Sequence, residues 1–108
     1  MKSKKVFKYN LNDHQKIVKF LKGFSLETTP FVADKIENFS DFVRSSTTMF
    51  ITFLPGSDYK TTITTAKKIN KEGLNPAPHF AARSISSKKM LEDYIARVTG
   101  EAGVKKIL

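Results

Sequence analysis

Short apolar runs recur along the chain at nearly even spacing and are separated by longer stretches of mixed polarity. The clearest run is residues 49–54, which is almost entirely apolar, as expected of a strand buried on both faces. Weaker strand candidates are residues 24–26 and 76–80, and a fourth begins at residue 104. The strand starts fall near residues 23, 49, 76 and 104, so successive starts are 26, 27 and 28 residues apart. Each interval has the length of one β-α unit, which predicts a parallel sheet with right-handed crossovers.

The stretches between the predicted strands carry helix signals. Four helices are expected: residues 13–22, a helix beginning at residues 28–30, residues 58–72, and a helix that opens at residues 86–87. Capping residues such as Asp58 begin them, and Gly23 and Gly73 follow two of them. Apolar residues at helical spacing form the expected inward faces, which are Ile17, Val18, Phe20, Leu21, Val32, Ile36, Phe39, Ile63, Ala66, Ile69, Met90, Leu91, Tyr94, Ile95 and Val98.

The alternating order of strands and helices fits two architectures, a doubly wound sheet or half of a β/α barrel. No Gly-x-Gly-x-x-Gly motif follows any predicted strand, which disfavours a dinucleotide-binding sheet. A complete barrel needs about 250 residues. We therefore expect an α/β fold with parallel β/α units, a partial, four-strand portion of a TIM-type β/α barrel. Residues 1–22 would form a basic segment and helix, and residues 23–108 three β-α units plus the fourth strand.

The composition of the 108-residue chain fits one small domain and removes several classes of site. There is no cysteine, which excludes disulfides, thiolate metal sites and a cysteine nucleophile. No apolar run approaches the ~20 residues of a membrane span, and no continuous apolar stretch follows the basic N-terminus as it would in a secretory signal. We therefore expect a cytoplasmic protein with no membrane partner.

The formal net charge of +9 points toward nucleic acid binding, but the kind of basic residue does not. Sixteen of the nineteen basic residues are lysine and three are arginine, the residue that dominates base and phosphate recognition. The lysines are scattered along the chain, and no RNP-like motif accompanies them. A basic, non-catalytic module that binds nucleic acid or an acidic protein is kept as the alternative from another functional class.

Candidate site residues follow from the rule that parallel β/α folds bind ligands at the carboxyl ends of their strands. Glu27 ends the first predicted strand, His79 lies at the end of the third, and Arg83 comes just beyond it. The second strand delivers the residues of its terminal turn, which are Leu54, Pro55, Gly56 and Ser57. A carboxyl, an imidazole and a guanidinium on one rim could serve acid/base chemistry and anion binding.

Each candidate also has a structural alternative that the sequence leaves open. Glu27 could cap the helix that begins after it, and His79 could be an ordinary strand-end histidine. Arg83 could be a solvated loop charge, and Gly56 a turn glycine. The two histidines lie 65 residues apart among scattered acids, which is no metal-binding signature.

Several segments resemble the methylenetetrahydrofolate reductase family over roughly residues 23–108. The segments are SLE at 25–27, FITFLPGSD at 50–58, EGLNPAPHFAAR at 72–83, LEDY at 91–94 and TGEAG at 99–103. The Pro-His pair that ends the third predicted strand is the most distinctive piece. The chain departs from the family pattern in the residues after Glu27. It departs again at Leu54 and Pro55, where the family commonly has Thr-Tyr.

The resemblance implies a β/α barrel that binds FAD and uses NAD(P)H to reduce 5,10-methylenetetrahydrofolate to 5-methyltetrahydrofolate, a step of one-carbon metabolism. Glu27 matches the acid that activates the folate, and His79 matches the histidine that lies against the flavin. Leu54, Pro55 and Gly56 match residues that line the flavin site, and Arg83 is grouped with them. Leu54 and Pro55 leave open a different one-carbon or folate enzyme on the same barrel.

The family's next segment would begin beyond residue 108, so most of the flavin and folate site would lie outside this chain. We therefore expect a fragment of an oxidoreductase that is inactive alone. Its missing strands would come from a C-terminal half or from self-association.

Overall fold

Three short strands form a parallel sheet in the order β1, β2, β3. The computed structural model describes residues 11–108, in which β1 is Leu26–Thr28, β2 is Thr48–Ile51 and β3 is Asn75–Pro78. Glu27 pairs with Phe50, and Phe50 pairs with Ala77. The predicted parallel β/α arrangement is therefore present as a mixed α/β fold with three strands. The first ten residues of the predicted N-terminal basic segment lie outside the described part of the chain.

Within the described residues four α-helices accompany the sheet, and each begins at a side-chain cap. They are α1 (Asp13–Leu21), α2 (Pro30–Ala33), α3 (Tyr59–Lys71) and α4 (Lys88–Gly100). The caps are Asn12, Thr29, Asp58 and Ser87, whose side-chain oxygens accept backbone N–H groups of the first turn. Short 3-10 turns cover Phe39–Asp41 and Ala82–Ser84. Helix starts were predicted well because these short polar caps are readable in the sequence.

One face of the sheet is covered by the packed helices. Met49 and Ile51 of β2 are 1% and 0% exposed and lie in the same core cluster as Ile63, Ala66 and Ile69 of α3. The remaining core side chains are Ala33, Phe39, Val43, Leu74, Tyr94, Val98, Ala102 and Val104. At about 25 cal/mol for each Å² of apolar surface removed from water, this cluster is the main source of stability.

The other face of the sheet carries the side chains that alternate with this core. Phe50 lies between the buried Met49 and Ile51, so its side chain points to the opposite side. Glu27 is its cross-strand neighbour, and Thr52 and His79 follow two residues beyond Phe50 and Ala77. We call this the site face, defined by Glu27, Phe50, Thr52 and His79.

The second helix and the fourth strand differ from the prediction. α2 is a single turn that ends at Ala33, and Phe39 is 3% exposed in a separate 3-10 turn, because burial of Phe39 and Val43 fixes the path of this segment. The predicted strand at 104–108 is not formed, since the Val104 N–H closes α4 by donating to the Val98 carbonyl at 3.0 Å. Three strands are described where four were predicted.

The last residue nevertheless joins the edge of β3. The Leu108 N–H donates to the Pro78 carbonyl at 3.0 Å, and the Phe80 N–H donates to the Leu108 carbonyl at 2.6 Å. Two bonds that bracket His79 in this way have the pattern of a parallel neighbour. Leu108 and His79 therefore pair as residues of parallel strands do, which is the direction predicted for the fourth strand.

The apolar face of α1 is exposed, against the prediction that it packs inward. No residue of α1 is buried, and Ile17 and Phe20 are 58% and 87% exposed. Ile95 of α4 is also 43% exposed, although it continues the apolar pattern of that helix. Helical spacing identified amphipathic faces here, but it does not show whether another element covers them.

Candidate functional site

Glu27 occupies the middle of β1, and its carboxylate lies at the carboxyl end of the sheet. Its Oε2 atom accepts a hydrogen bond from the hydroxyl of Thr52, one residue beyond β2. The capping alternative for Glu27 is wrong, because α2 is capped by Thr29, whose side chain accepts the Val32 N–H at 3.1 Å. Glu27 is therefore held by a neighbouring strand instead of by the helix that follows it.

His79 stands one residue beyond β3 on the same face. Its backbone N–H donates to the Ile51 carbonyl at 2.9 Å, which continues the strand ladder past the end of β3. The His79 Nε2 atom lies 4.0 Å from Glu27 Oε2, and its ring meets Phe50 edge to face with centroids 6.2 Å apart. The parallel register thus brings together two candidates that are 52 residues apart in sequence.

The distance between imidazole and carboxylate determines what the pair does. At 4.0 Å the two groups are too far apart for a direct hydrogen bond, but a protonated imidazole attracts the carboxylate at this range. The side chains of His79 and Glu27 are 26% and 57% exposed, so both can reach a ligand on the site face. The arrangement is suited to proton transfer by the carboxyl group beside a second titratable side chain.

The turn after β2 contributes to a cavity whose lining does not include Glu27 or His79. The Ser57 N–H donates to the Leu54 carbonyl at 3.0 Å, and Gly56 has a φ of +83°, so a turn conformation requires the glycine. Leu54 and Ser57 line a cavity of about 470 Å³ together with Pro30 of α2. Leu54, Pro55 and Gly56 are all exposed, and none makes a hydrogen bond to Glu27 or His79 within the described residues.

Arg83 follows the end of β3 and makes no bond to the pair. It lies in the 3-10 turn Ala82–Ser84 and is exposed. Within residues 11–108 its guanidinium forms neither an ion pair nor a hydrogen bond. The contacts of the structure therefore join Glu27 and His79 and do not include Arg83.

Thr52 is the site residue that sequence reasoning missed. It is the one polar side chain within the apolar run at 49–54, and it lies two residues after Phe50, which places both on one face of an extended strand. The sequence feature that could have identified Thr52 as a site residue is a single hydroxyl at the end of a buried strand. Only the pairing of β1 with β2 shows that this hydroxyl meets Glu27.

The residues present fit a flavin in part. His79 and Phe50 give the site face an aromatic wall that a planar ring system could contact, with the Thr52 and Glu27 side chains beside it. Leu54 lines the cavity next to α2. Its position therefore gives no reason to expect that it contacts the same ligand as His79. Among the flavin-site candidates from the sequence, His79 is the one whose ring contacts Phe50 on the site face.

The described residues contain neither a metal-ligand cluster nor a membrane-spanning helix. Across the described portion, no three His, Asp or Glu side chains cluster in a way that could hold a metal ion. No helix in residues 11–108 has the length and apolar character to cross a bilayer. No protein-family model matches the chain. The resemblance to methylenetetrahydrofolate reductases therefore stays a prediction from the quoted segments.

Proposed function

We propose that this chain forms part of a flavin-dependent oxidoreductase similar to methylenetetrahydrofolate reductase, which reduces 5,10-methylenetetrahydrofolate to 5-methyltetrahydrofolate. The observation that carries the proposal is the convergence of Glu27 and His79 at the carboxyl ends of adjacent parallel strands, where such folds bind ligands. The resemblance assigns the acid to Glu27 and the flavin contact to His79, and the two lie 4.0 Å apart.

In this proposal each group on the site face has a distinct task. Bound FAD would supply the hydride that originates from NAD(P)H. Glu27 donates a proton to the folate, which makes the one-carbon unit a better hydride acceptor. The imidazole of His79, whose backbone N–H is bonded to the Ile51 carbonyl, would contact the flavin ring.

Further strands are expected to complete the site. Parallel strands are normally covered on both faces, whereas the core of this chain covers one face of the sheet. His79 and Glu27 retain 26% and 57% exposure of their side chains, which leaves room for another protein segment and for ligands. We propose that a C-terminal half or a second copy supplies this cover.

The flavin contact can be tested by NMR titration of the two histidine rings. We expect FAD to shift the ring signals of His79 and to leave those of His14, the matched control on α1, unchanged. The substitutions His79→Asn and His14→Asn assign the signals, and ADP is the control ligand because it carries adenine and phosphates without the flavin ring. A His79 ring that does not respond to about 1 mM FAD, or that responds equally to ADP, contradicts the proposal.

The same titration tests the need for further strands. A partial site should bind FAD weakly, since one wall supplies few of the contacts that fix a cofactor. Stoichiometric binding of FAD to the monomer with a micromolar Kd would contradict the expectation that other strands complete the site.

The net charge of +9 supports one other candidate, a basic module that binds nucleic acid or an acidic protein. That function predicts salt-dependent retention on DNA that Glu27→Gln and His79→Asn leave unchanged. Retention that is absent at low salt would remove the nucleic acid part of this alternative.

A further inference from the structure

The Thr52 hydroxyl gives the Glu27 carboxyl a defined orientation. Thr52 donates to Oε2 of Glu27, and His79 Nε2 faces that same oxygen at 4.0 Å. Within residues 11–108 no hydrogen bond is made to the other oxygen, Oε1. The two oxygens of one carboxyl group are therefore in different surroundings.

We propose that Thr52 is a positioning residue that fixes Glu27 so that its proton is carried and delivered through Oε1. The proposal deepens the acid role of Glu27 and rests on that proposed function. A threonine hydroxyl has one proton to donate, and here Oε2 receives it. The acidic proton then resides on Oε1, and its transfer breaks the O–H bond of Glu27 and forms a bond from hydrogen to a basic atom of the substrate, leaving a carboxylate.

The backbone fixes the positions from which these side chains extend. The Thr52 N–H donates to the Thr28 carbonyl at 2.9 Å, and the His79 N–H donates to the Ile51 carbonyl at the same distance. Both residues thus extend the ladder between neighbouring strands by one step, although they lie outside the strands proper. The relative heights of Thr52, Glu27 and His79 are consequently set by the register of the sheet and not by loop conformation.

A carboxyl at this position needs such an anchor. The Glu27 side chain is 57% exposed, and a glutamate that makes no fixed contact samples several rotamers about each of its sp³ bonds. Ordering a glutamate side chain costs conformational entropy, and a hydrogen bond to its charged carboxylate offsets part of that cost. The Thr52 hydroxyl therefore favours one orientation of the Glu27 carboxyl over the others.

Packing alone does not explain a threonine at this position. The strand is otherwise apolar, and Thr52 is half-buried between Ile51 and Phe53. Valine has nearly the same shape and would suit a buried strand as well, but it cannot donate to Glu27. The comparison of valine with serine at position 52 therefore separates the hydroxyl from the shape of the side chain.

The test compares the 108-residue chain with its Thr52→Val and Thr52→Ser variants by NMR. In the wild type and in Thr52→Ser, side-chain couplings should show one dominant rotamer for Glu27, and a nuclear Overhauser contact should join Glu27 to the His79 ring. In Thr52→Val the couplings should average toward the three staggered wells, and the contact should be lost. Amide exchange at Ile51 and Ala77 reports whether each variant keeps the sheet.

Each outcome has one meaning for the proposal. A Glu27 rotamer in Thr52→Val that matches the wild type overturns it, as does a wild-type Glu27 that is already averaged. If Thr52→Val loses the sheet, the Glu27 side-chain couplings in the wild type and in Thr52→Ser still test the proposal, because both of these proteins are folded. Failure of FAD to reach His79 would overturn the proposed function while leaving the orientation of Glu27 intact, so the two failures are distinguishable.

Discussion

Neutralising Glu72 should weaken the connection between the end of α3 and the segment that precedes β2. The Glu72 side chain is 11% exposed, and its Oε1 accepts the Ser40 N–H at 3.0 Å. Its Oε2 accepts from Lys68 Nζ at 3.1 Å, and Lys68 Nζ also donates to the Glu37 carbonyl at 2.8 Å. One carboxylate thus ties two parts of the chain that are 32 residues apart.

The expected loss follows from the number and kind of these bonds. A hydrogen bond to a charged group contributes about 1.5–3 kcal/mol, whereas a neutral one contributes about 1 kcal/mol. Glu72→Gln keeps an oxygen that can accept from Ser40 but removes the charge that attracts Lys68. We therefore expect the substitution to lower the free energy of unfolding by about 1–2 kcal/mol at neutral pH.

The same interaction should depend on pH in a defined direction. Burial raises the pKa of Glu72, but the hydrogen bonds from Ser40 and Lys68 outweigh burial and hold the pKa below its ordinary value. A carboxyl whose folded pKa is depressed stabilises the protein fully above its unfolded pKa of about 4.3. That stabilisation is lost as the pH falls through the lower, folded pKa. The difference between wild type and Glu72→Gln should shrink accordingly.

The assay is urea unfolding, monitored by circular dichroism, at pH 7 and at about pH 3.5. Glu92→Gln is the matched control, because Glu92 also follows a lysine by four residues, but its pair with Lys88 spans 3.8 Å with both side chains mostly exposed. The control should change stability too little to resolve. Equal effects of the two substitutions, or a Glu72→Gln effect that grows at acid pH, would refute the reasoning.

Three further substitutions test the backbone and the core by urea unfolding at pH 7. Gly73 has a φ of +82° at the end of α3, so Gly73→Ala should destabilise by about 1–2 kcal/mol, whereas Gly100→Ala, with open space and no positive φ, should stabilise by up to about 1 kcal/mol; the reverse order contradicts this reading of the backbone. The Tyr94 hydroxyl is buried without a hydrogen bond of regular geometry among the described residues, and burial raises its pKa, although the Thr62 side chain partly opposes that rise. Tyr94→Phe should therefore leave stability unchanged or slightly higher, and a loss above about 1 kcal/mol would show that the hydroxyl is satisfied.

The helix α3 shows how far the sequence could predict local structure. Asp58 caps it, Ile69 and its predecessors at helical spacing are buried, and Gly73 ends it with the paired bonds from Gly73 N–H to Asn70 and from Leu74 N–H to Ile69. Capping, periodicity and a terminal glycine all agreed here. Local signals of this kind are sufficient because each depends on residues within one or two turns.

The helix α2 shows where the same signals fail. Thr29 and Pro30 predicted its start correctly, but Ile36 and Phe39 at helical spacing suggested a longer helix than the single turn that forms. Phe39 reaches the core from a separate 3-10 turn, where its ring also lies 5.6 Å from Lys68 Nζ. Periodicity identified the buried residue but not the backbone that carries it.

The sequence by itself determined the alternation of strands and helices, the helix caps, and the position of Glu27 and His79 at strand ends, because these depend on local propensity and polarity. The tertiary structure decided which strand ends meet. The parallel register brings the Thr52 hydroxyl into contact with Glu27, and it brings His79 Nε2 to 4.0 Å from the same carboxylate. These contacts join residues at least 25 positions apart in sequence. Such contacts depend on how the strands pair, which no local pattern specifies.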